Sequence, residues 1–274
     1  MIPQCLSYHL ADDVLAFSTT RKGGVSRGNY GEFNINYYCG DERSAIETNR
    51  KALCDWLNID TNRLVYPHQV HQAEVRMIAD EFLSLSSETR KMLLEGVDAV
   101  MTDVPNVCIG VSTADCMPIL LYDTEHRAIC AVHAGWRGTV ARIVQKAVSE
   151  MRAAYHTKPE MLRAVIGPGI SMKNFEVGDE VYEQFVEAGF EMEKMACRMP
   201  LAHTADVVGQ SEPPLRWHID LWECNRQQLT DAGLPVDHVQ IAGICTYDRF
   251  QEFFSARRLG IDSGRIFTGA MLQR

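Results

Sequence analysis

The clearest alternation of apolar and polar positions lies between Ser112 and Thr139. Two apolar, β-branched runs, Met117 to Tyr122 and Ala128 to Val132, flank the polar stretch Asp123-Thr124-Glu125-His126. This spacing predicts a hairpin that turns at 123–126 and whose strands are buried on at least one face. Cys116 stands just before the first run and His133 just after the second. Closing the hairpin therefore brings a thiol and an imidazole to one edge. Gly135 and Gly138 lie beside them, where the missing Cβ lets a backbone or ligand come close.

Elsewhere the pattern interleaves strands and helices. Val14 to Phe17 starts a strand that runs into a Gly23-Gly24 turn, with Arg21 at its mouth. Ser44 to Leu57 predicts a helix with Ser44 and Glu47 as a capping box and Ile46, Leu53, Trp56 and Leu57 as its apolar face. Alternation from Val70 to Val75 predicts a strand that contains His71, and Ser84 to Glu95 a short helix or ordered loop. Residues 97–103 and 107–111 read as two strands leading into the hairpin. Thr139 to Tyr155 carries Val140, Ile143, Val144, Ala147, Val148 and Met151 at helical spacing, a long helix whose N-terminal amides point back toward the hairpin edge. Further strands are expected at Met161–Ile166, Trp217–Leu221 and Gln240–Ile244, and helices at Val177–Gly189 and Leu221–Ala232. Gly189 to Gln210 reads as an irregular insertion. The class is mixed α/β, and without a linker or a repeat the chain reads as a single domain over 1–274.

Composition narrows the function classes. With 274 residues, 46% hydrophobic and 23% charged, the chain can bury a large core. No apolar run approaches the roughly 20 residues of a membrane helix. A net charge of −9 argues against a nucleic-acid partner, since phosphate neutralisation needs a basic face. The start, MIPQCLSYHL, lacks the basic and then apolar regions of a signal peptide, so the cytosol is the expected compartment. Nine cysteines without a Cys-x-x-Cys predict mostly buried free thiols, one or two of them chemically used.

To hold a metal, Cys116 and His133 need a third partner, and His71 is the best candidate. One thiolate and two imidazoles suit zinc and leave a fourth position open, the pattern of a catalytic site. The competing reading is a core thiol and core histidines with no metal. Arg137, beside the predicted helix N-terminus, and Arg257 or Arg21 are candidates for pairing with an anion, against ordinary surface ion pairs. Asp98 and Asp115 are candidate acid/base groups, or carboxylates that orient a metal-bound histidine. His68, Asn36 and Tyr37 are candidate substrate contacts. Cys245, at a strand end, is an alternative nucleophile, as is Cys116 paired with His133; a bound zinc blocks that second use because it takes the same sulfur.

Several segments fall together in order: His68-Gln69-Val70-His71, Asp98-Ala99, Thr113-Ala114-Asp115-Cys116-Met117-Pro118, Ala131 to Gly138, Ile166 to Ile170, Cys245-Thr246-Tyr247 and Phe254 to Arg258. Over nearly the whole chain they resemble the YfiH-like family, also called the laccase-domain or polyphenol-oxidase family. The resemblance implies one zinc on His71, Cys116 and His133. It implies purine nucleoside phosphorylase activity on adenosine, inosine and methylthioadenosine, with adenosine deamination beside it, so that nucleoside and inorganic phosphate are the small-molecule partners. It also implies an α/β sandwich shared with cysteine-dependent deamidating toxins. This chain departs from the family pattern at Gln72, where glycine is usual, and at Ala256, where tyrosine is usual; both bear on pocket shape rather than on the metal. Multicopper chemistry needs many histidines, typically in His-x-His pairs, whereas this chain has nine histidines and no such pair. The usual zinc deaminase signature is missing too, so deamination needs another acid and base. Copper in place of zinc, a monomer or a homodimer, hydrolysis of peptidoglycan precursors, and metal binding without turnover stay open as alternatives.

Overall fold

The computed structural model describes residues 2–200 and 215–273 and shows a mixed α/β fold with three β-sheets. The first sheet has the order β1 (Cys5–Tyr8), β2 (Val14–Thr19), β14 (Ile266–Leu272), β6 (Cys108–Thr113) and β3 (Leu64–Val65). The second has the order β13 (Val239–Ile241), β9 (Leu162–Ile166), β7 (Met117–Asp123), β8 (Ala128–Ala134), β5 (Ala99–Thr102) and β4 (Val75–Met77). A small third sheet joins β10 (Glu176–Val177), β12 (Leu215–Ile219) and β11 (Ala196–Pro200).

Side-chain alternation sorts the two large sheets into a sandwich. Leu120, Tyr122, Ile129 and Ala131 on one sheet pack with Ile109, Val111 and Ala270 on the other. On the opposite face of β7 and β8, Ile119, Leu121, Cys130 and Val132 meet Val144, Ala147, Val148 and Met151 of α4 (Ile143–Tyr155). On the outer face of the first sheet, Phe17, Phe267 and Met271 meet Leu53 and Leu57 of α1 (Arg43–Leu57). Every residue of β6, β7, β8 and β14 is buried. Each fully buried large aliphatic side chain contributes roughly 1.5–3 kcal/mol, so these four strands carry much of the fold's hydrophobic stabilisation. No helix among the described residues is long and apolar enough to cross a membrane.

The central hairpin forms as the pattern predicts, with Pro118 opposite His133, and the expected short helix is α2 (Ser87–Leu94). Other expectations are corrected. His71 lies in a bend with φ 63° rather than in a strand, because β4 is confined to Val75–Met77. The Ser44–Glu47 capping box does not form: the helix begins at Arg43, which leaves Ser44 inside the first turn, where its hydroxyl meets Glu42 Oε1 at 3.3 Å. The long helix expected from Thr139 is two, α3 (Trp136–Val140) and α4, broken where Arg142 takes φ 58° and donates to the Ala188 carbonyl. Within the expected irregular insertion, 192–200 carry a short helix, Met192–Met195, and β11; residues 201–210 lie outside the described residues. Residues 108–113 do lead to the hairpin, but as part of the other sheet.

Candidate metal centre

The chain crosses from the first sheet to the second in one short step, Ala114-Asp115-Cys116, between β6 and β7. Asp115 makes the crossing at φ 89°, a conformation that needs outside support in a non-glycine residue. Its Oδ1 accepts from Thr246 Oγ1 at 2.6 Å and its Oδ2 from the Arg257 amide at 2.7 Å, while its carbonyl accepts from Ile170 N. The bend is thereby fixed, and Cys116 emerges beside His133 of β8 at the end of the sandwich.

His71 arrives from a loop. Buried Asp98 accepts its backbone N–H at 2.9 Å, together with those of Val70 (3.3 Å) and Gln72 (2.8 Å). The same carboxylate faces His133 Nδ1 at 2.8 Å, which leaves Nε2 of that ring for a metal. Gln69 adds a second tie: its side-chain amide accepts from Ser112 N at 2.7 Å and donates to Ser112 O at 2.8 Å, acting as an extra rung on β6.

The donor atoms of His71, Cys116 and His133 all lie within 4.8 Å of one another. The two imidazoles meet edge to face, 4.7 Å between centroids. A Cβ at Gly135 would stand 3.0 Å from both Cys116 Sγ and His71 Cδ2, so this glycine is what lets the donors converge. Burial alone raises the Cys116 thiol, but the His133 and His71 imidazoles outweigh it and bring the thiol down to about 6. Burial likewise lowers His133, and Cys116 and Asp98 reverse this, pushing it up to about 9. Burial also raises Asp98, yet His133 and the surrounding N–H groups hold it below the usual carboxylate range. Both imidazoles thus favour the thiolate of Cys116, the form that ligates a metal. One sulfur and two nitrogens, with one face toward open space, fit a zinc ion bound at roughly 2.0–2.3 Å.

That open space is a cleft of about 900 Å³ with the three donors on its surface. Its apolar side includes Trp136, Ile170, Phe175 and Ala256; its polar side includes Asn36, His68, Arg257 and Arg265. His68 stacks on Tyr38 at 3.9 Å and meets Glu95 Oε1 through Nδ1 at 2.7 Å. Asn36 takes the Tyr38 amide on its Oδ1. Arg257 donates to the Glu176 carbonyl and lies 3.5 Å from Glu176 Oε1.

Other candidates stand elsewhere. Arg21 lines a separate depression with Lys22 and Arg27, its guanidinium bonded to the Gly31 and Phe250 carbonyls. Arg137 is exposed, lies over the Trp136 ring at 4.3 Å and is not part of the cleft lining. Cys245 is buried, with its sulfur accepting from Ser171 N and Asn174 Nδ2, and it is not part of the cleft lining. Tyr37 is exposed with Arg43 and Arg50 over its ring, and its neighbour Tyr38 takes the place in the cleft. Sequence reasoning missed Gln69, Tyr38 and Arg265. For Gln69 a signal existed, since it lies within the His68-Gln69-Val70-His71 segment; Arg265 had none, because the strand it precedes has no polar alternation to mark it.

Residues 15–273 match the family described as multi-copper polyphenol oxidoreductase laccase. A purine nucleoside phosphorylase of Bacteroides thetaiotaomicron is 46% identical over 258 residues, covering 94% of this chain and 91% of that protein. Adenosine deaminase RL5, from an unknown prokaryotic organism, is 40% identical over 258 residues and 94% of each chain. The crystal structure of the Bacillus licheniformis hypothetical protein YfiH superposes with a TM-score of 0.86 at 27% identity, covering 99% of this chain and 97% of that one.

Proposed function

The chain belongs to the YfiH-like laccase-domain family, and we propose that it is a zinc-dependent purine nucleoside phosphorylase, acting on adenosine, inosine and methylthioadenosine, with adenosine deamination at the same centre. The observation that carries this reading is the His71–Cys116–His133 cluster on the surface of a cleft large enough for a nucleoside and a phosphate. The names of the relatives favour nucleosides over peptidoglycan precursors. A laccase reading needs several coppers; among the described residues this cluster alone brings three or more such donors together.

In phosphorolysis a phosphate oxygen bonds to the anomeric carbon as the bond to the purine nitrogen breaks with oxocarbenium character, and the purine leaves with the electron pair and takes up a proton. Zinc, when bound, supplies Lewis acidity toward a phosphate or water oxygen in the cleft. The remaining work falls to the chain. The stacked Tyr38 and His68 present a flat surface to a purine. Arg257 offers a planar fork to phosphate, whereas Arg21 and Arg137, the other arginines of the right type, stand outside the cleft. Trp136, Ile170 and Phe175 exclude water from one side of the reacting bond. Asp98 holds His133 and the His71 loop, and Asp115 holds the Cys116 crossing; both act by positioning. The test is phosphate-dependent release of hypoxanthine from inosine by the zinc-loaded protein. Phosphate-dependent release is expected, and it should vanish in Cys116→Ala; activity unchanged in that variant overturns the reading.

A further inference from the structure

We propose that Arg265 is a binding residue for inorganic phosphate in this cleft, an inference that rests on the phosphorolytic reading above. The register of the first sheet sets its place. Ile266 pairs with Thr113, so Arg265, one residue earlier, stands at the end of β14 beside the Ala114-Asp115-Cys116 crossing. Its side chain lines the same cleft as the three donors.

The guanidinium is held by neutral oxygens only. Nη1 donates to the Ser263 carbonyl at 2.6 Å and the Gly264 carbonyl at 3.0 Å, with Ser263 Oγ at 3.4 Å, and Nη2 donates to the Ile261 carbonyl at 3.0 Å. The backbone is pinned as well, since the Arg265 amide donates to Asn34 Oδ1 at 3.1 Å. A guanidinium has five N–H donors. The three carbonyls take three of them, and the donors left over are on Nε and Nη2, with no partner among the described residues.

No carboxylate among the described residues lies within ion-pair distance of Arg265, although Asp262 lines the same cleft. Arg257 differs: Glu176 already answers part of its charge. Arg265 is thus a fixed, half-buried cation with spare donors and no counter-ion, which lowers the ordering cost of binding an oxyanion. The geometry suits a phosphate oxyanion, and of its two sources, free phosphate or a nucleotide's phosphate monoester, the proposed reaction calls for the free ion.

The experiment compares zinc-loaded wild type, Arg265→Ala, Arg265→Gln and Arg265→Lys in inosine phosphorolysis, with phosphate and inosine varied separately and inosine 5′-monophosphate as inhibitor. Loss of a charged hydrogen-bonding group predicts a roughly 10- to 100-fold rise in the KM for phosphate in Arg265→Ala and Arg265→Gln. The KM for inosine should move far less, and Arg265→Lys should restore part of the phosphate affinity. A purely structural role would shift both constants together and would not be rescued by lysine. If wild type itself shows no phosphate dependence, the phosphorolytic reading fails. If wild type needs phosphate but the variants keep its KM, only the Arg265 proposal is overturned. It is overturned equally if the variants lose nothing but inhibition by the nucleotide, since the subsite then serves a monoester. If Arg265→Ala melts too low to assay, the glutamine and lysine variants decide.

Discussion

The two sides of the metal centre are held in place by different forces. Cys116 and His133 sit at the end of a hairpin whose strands are buried on both faces, so hydrophobic packing fixes them. His71 sits on an exposed loop at positive φ, and polar ties fix it: Asp98 accepts three successive backbone amides and Gln69 clips the loop to Ser112. Packing is non-directional and tolerates small changes, whereas hydrogen bonds are directional and fail one residue at a time. The metal's grip should therefore be lost most easily on the loop side, through residues that never touch it.

The largest effect is expected from removing a donor on the packed side. Cys116→Ala should lose stoichiometric zinc by elemental analysis and all phosphorolysis, and its metal-free form should melt below metal-free wild type at neutral pH, because the sulfur that faces the two imidazoles is gone, yet keep the packed hairpin. A collapse of the metal-free fold in this variant would show that the hairpin depends on the centre, reversing the contrast. Next comes Asp98→Asn. The carboxylate serves both sides at once, through His133 Nδ1 and the loop amides, and loss of a residue that orients a metal ligand typically costs about 10- to 100-fold in metal affinity. Competition with a chelator measures it, and an affinity within threefold of wild type would remove Asp98 from the positioning role.

The same contrast governs how much the sequence could reveal. The hairpin was legible because its burial is written as two apolar runs around a polar turn, and the identity of Cys116 and His133 followed from where those runs stop. His71 was legible as a residue type but placed in a strand, since alternation from Val70 to Val75 carries no trace of the Asp98 side chain that bends the backbone from 28 residues away. The helix break at Arg142 comes with a bond to the Ala188 carbonyl, 46 residues away. Strand β14, central to the first sheet, is buried along its whole length and so lacks the period-2 signal of a half-exposed strand. With it went Arg265, whose place in the cleft is decided by the pairing of its neighbour Ile266 with Thr113 across the fold. Arg21, Arg137 and Cys245 carried the right chemistry for a site, but which face each one joins is a matter of long-range packing.

A smaller effect is expected from Gln69→Ala, which sharpens the comparison because the Gln69 side chain bonds Ser112 of β6 rather than a donor or the hairpin. It removes two hydrogen bonds to Ser112, each worth about 1 kcal/mol net, and frees one end of the His71 loop. Zinc affinity should fall several-fold, and cobalt substituted for zinc should show altered d–d absorption as the His71 geometry relaxes. Gln69→Glu keeps one acceptor for Ser112 N and should lie between the two. An unchanged cobalt spectrum in Gln69→Ala would mean that Asp98 alone sets the loop.

The smallest effect is at the far end of the hairpin. Asp123 is buried in the turn, where Oδ1 accepts the Glu125 amide at 2.9 Å and the His126 amide at 3.1 Å, and Oδ2 faces His126 Nδ1 at 3.1 Å. Burial pushes this carboxyl up, but the facing Thr157 hydroxyl and the hydrogen bonds from His126 and Glu125 outweigh it and leave it below the usual range. A carboxyl whose native value is depressed stabilises the fold only while ionised. That contribution is complete above the unfolded value of about 3.9 and is lost as pH falls through the lower native value. Asp123→Asn keeps an acceptor oxygen but not the charge, so it should cost on the order of 1 kcal/mol at pH 7. Its melting temperature should converge with that of wild type as the pH drops below about 4. Zinc affinity should not change, since the four buried pairs from Ile119–Val132 to Tyr122–Ile129 lie between this turn and His133. A parallel fall in zinc affinity would mean that the hairpin transmits loosening from its turn to its donor end, and the packed side of the centre would then be no more robust than the hydrogen-bonded one.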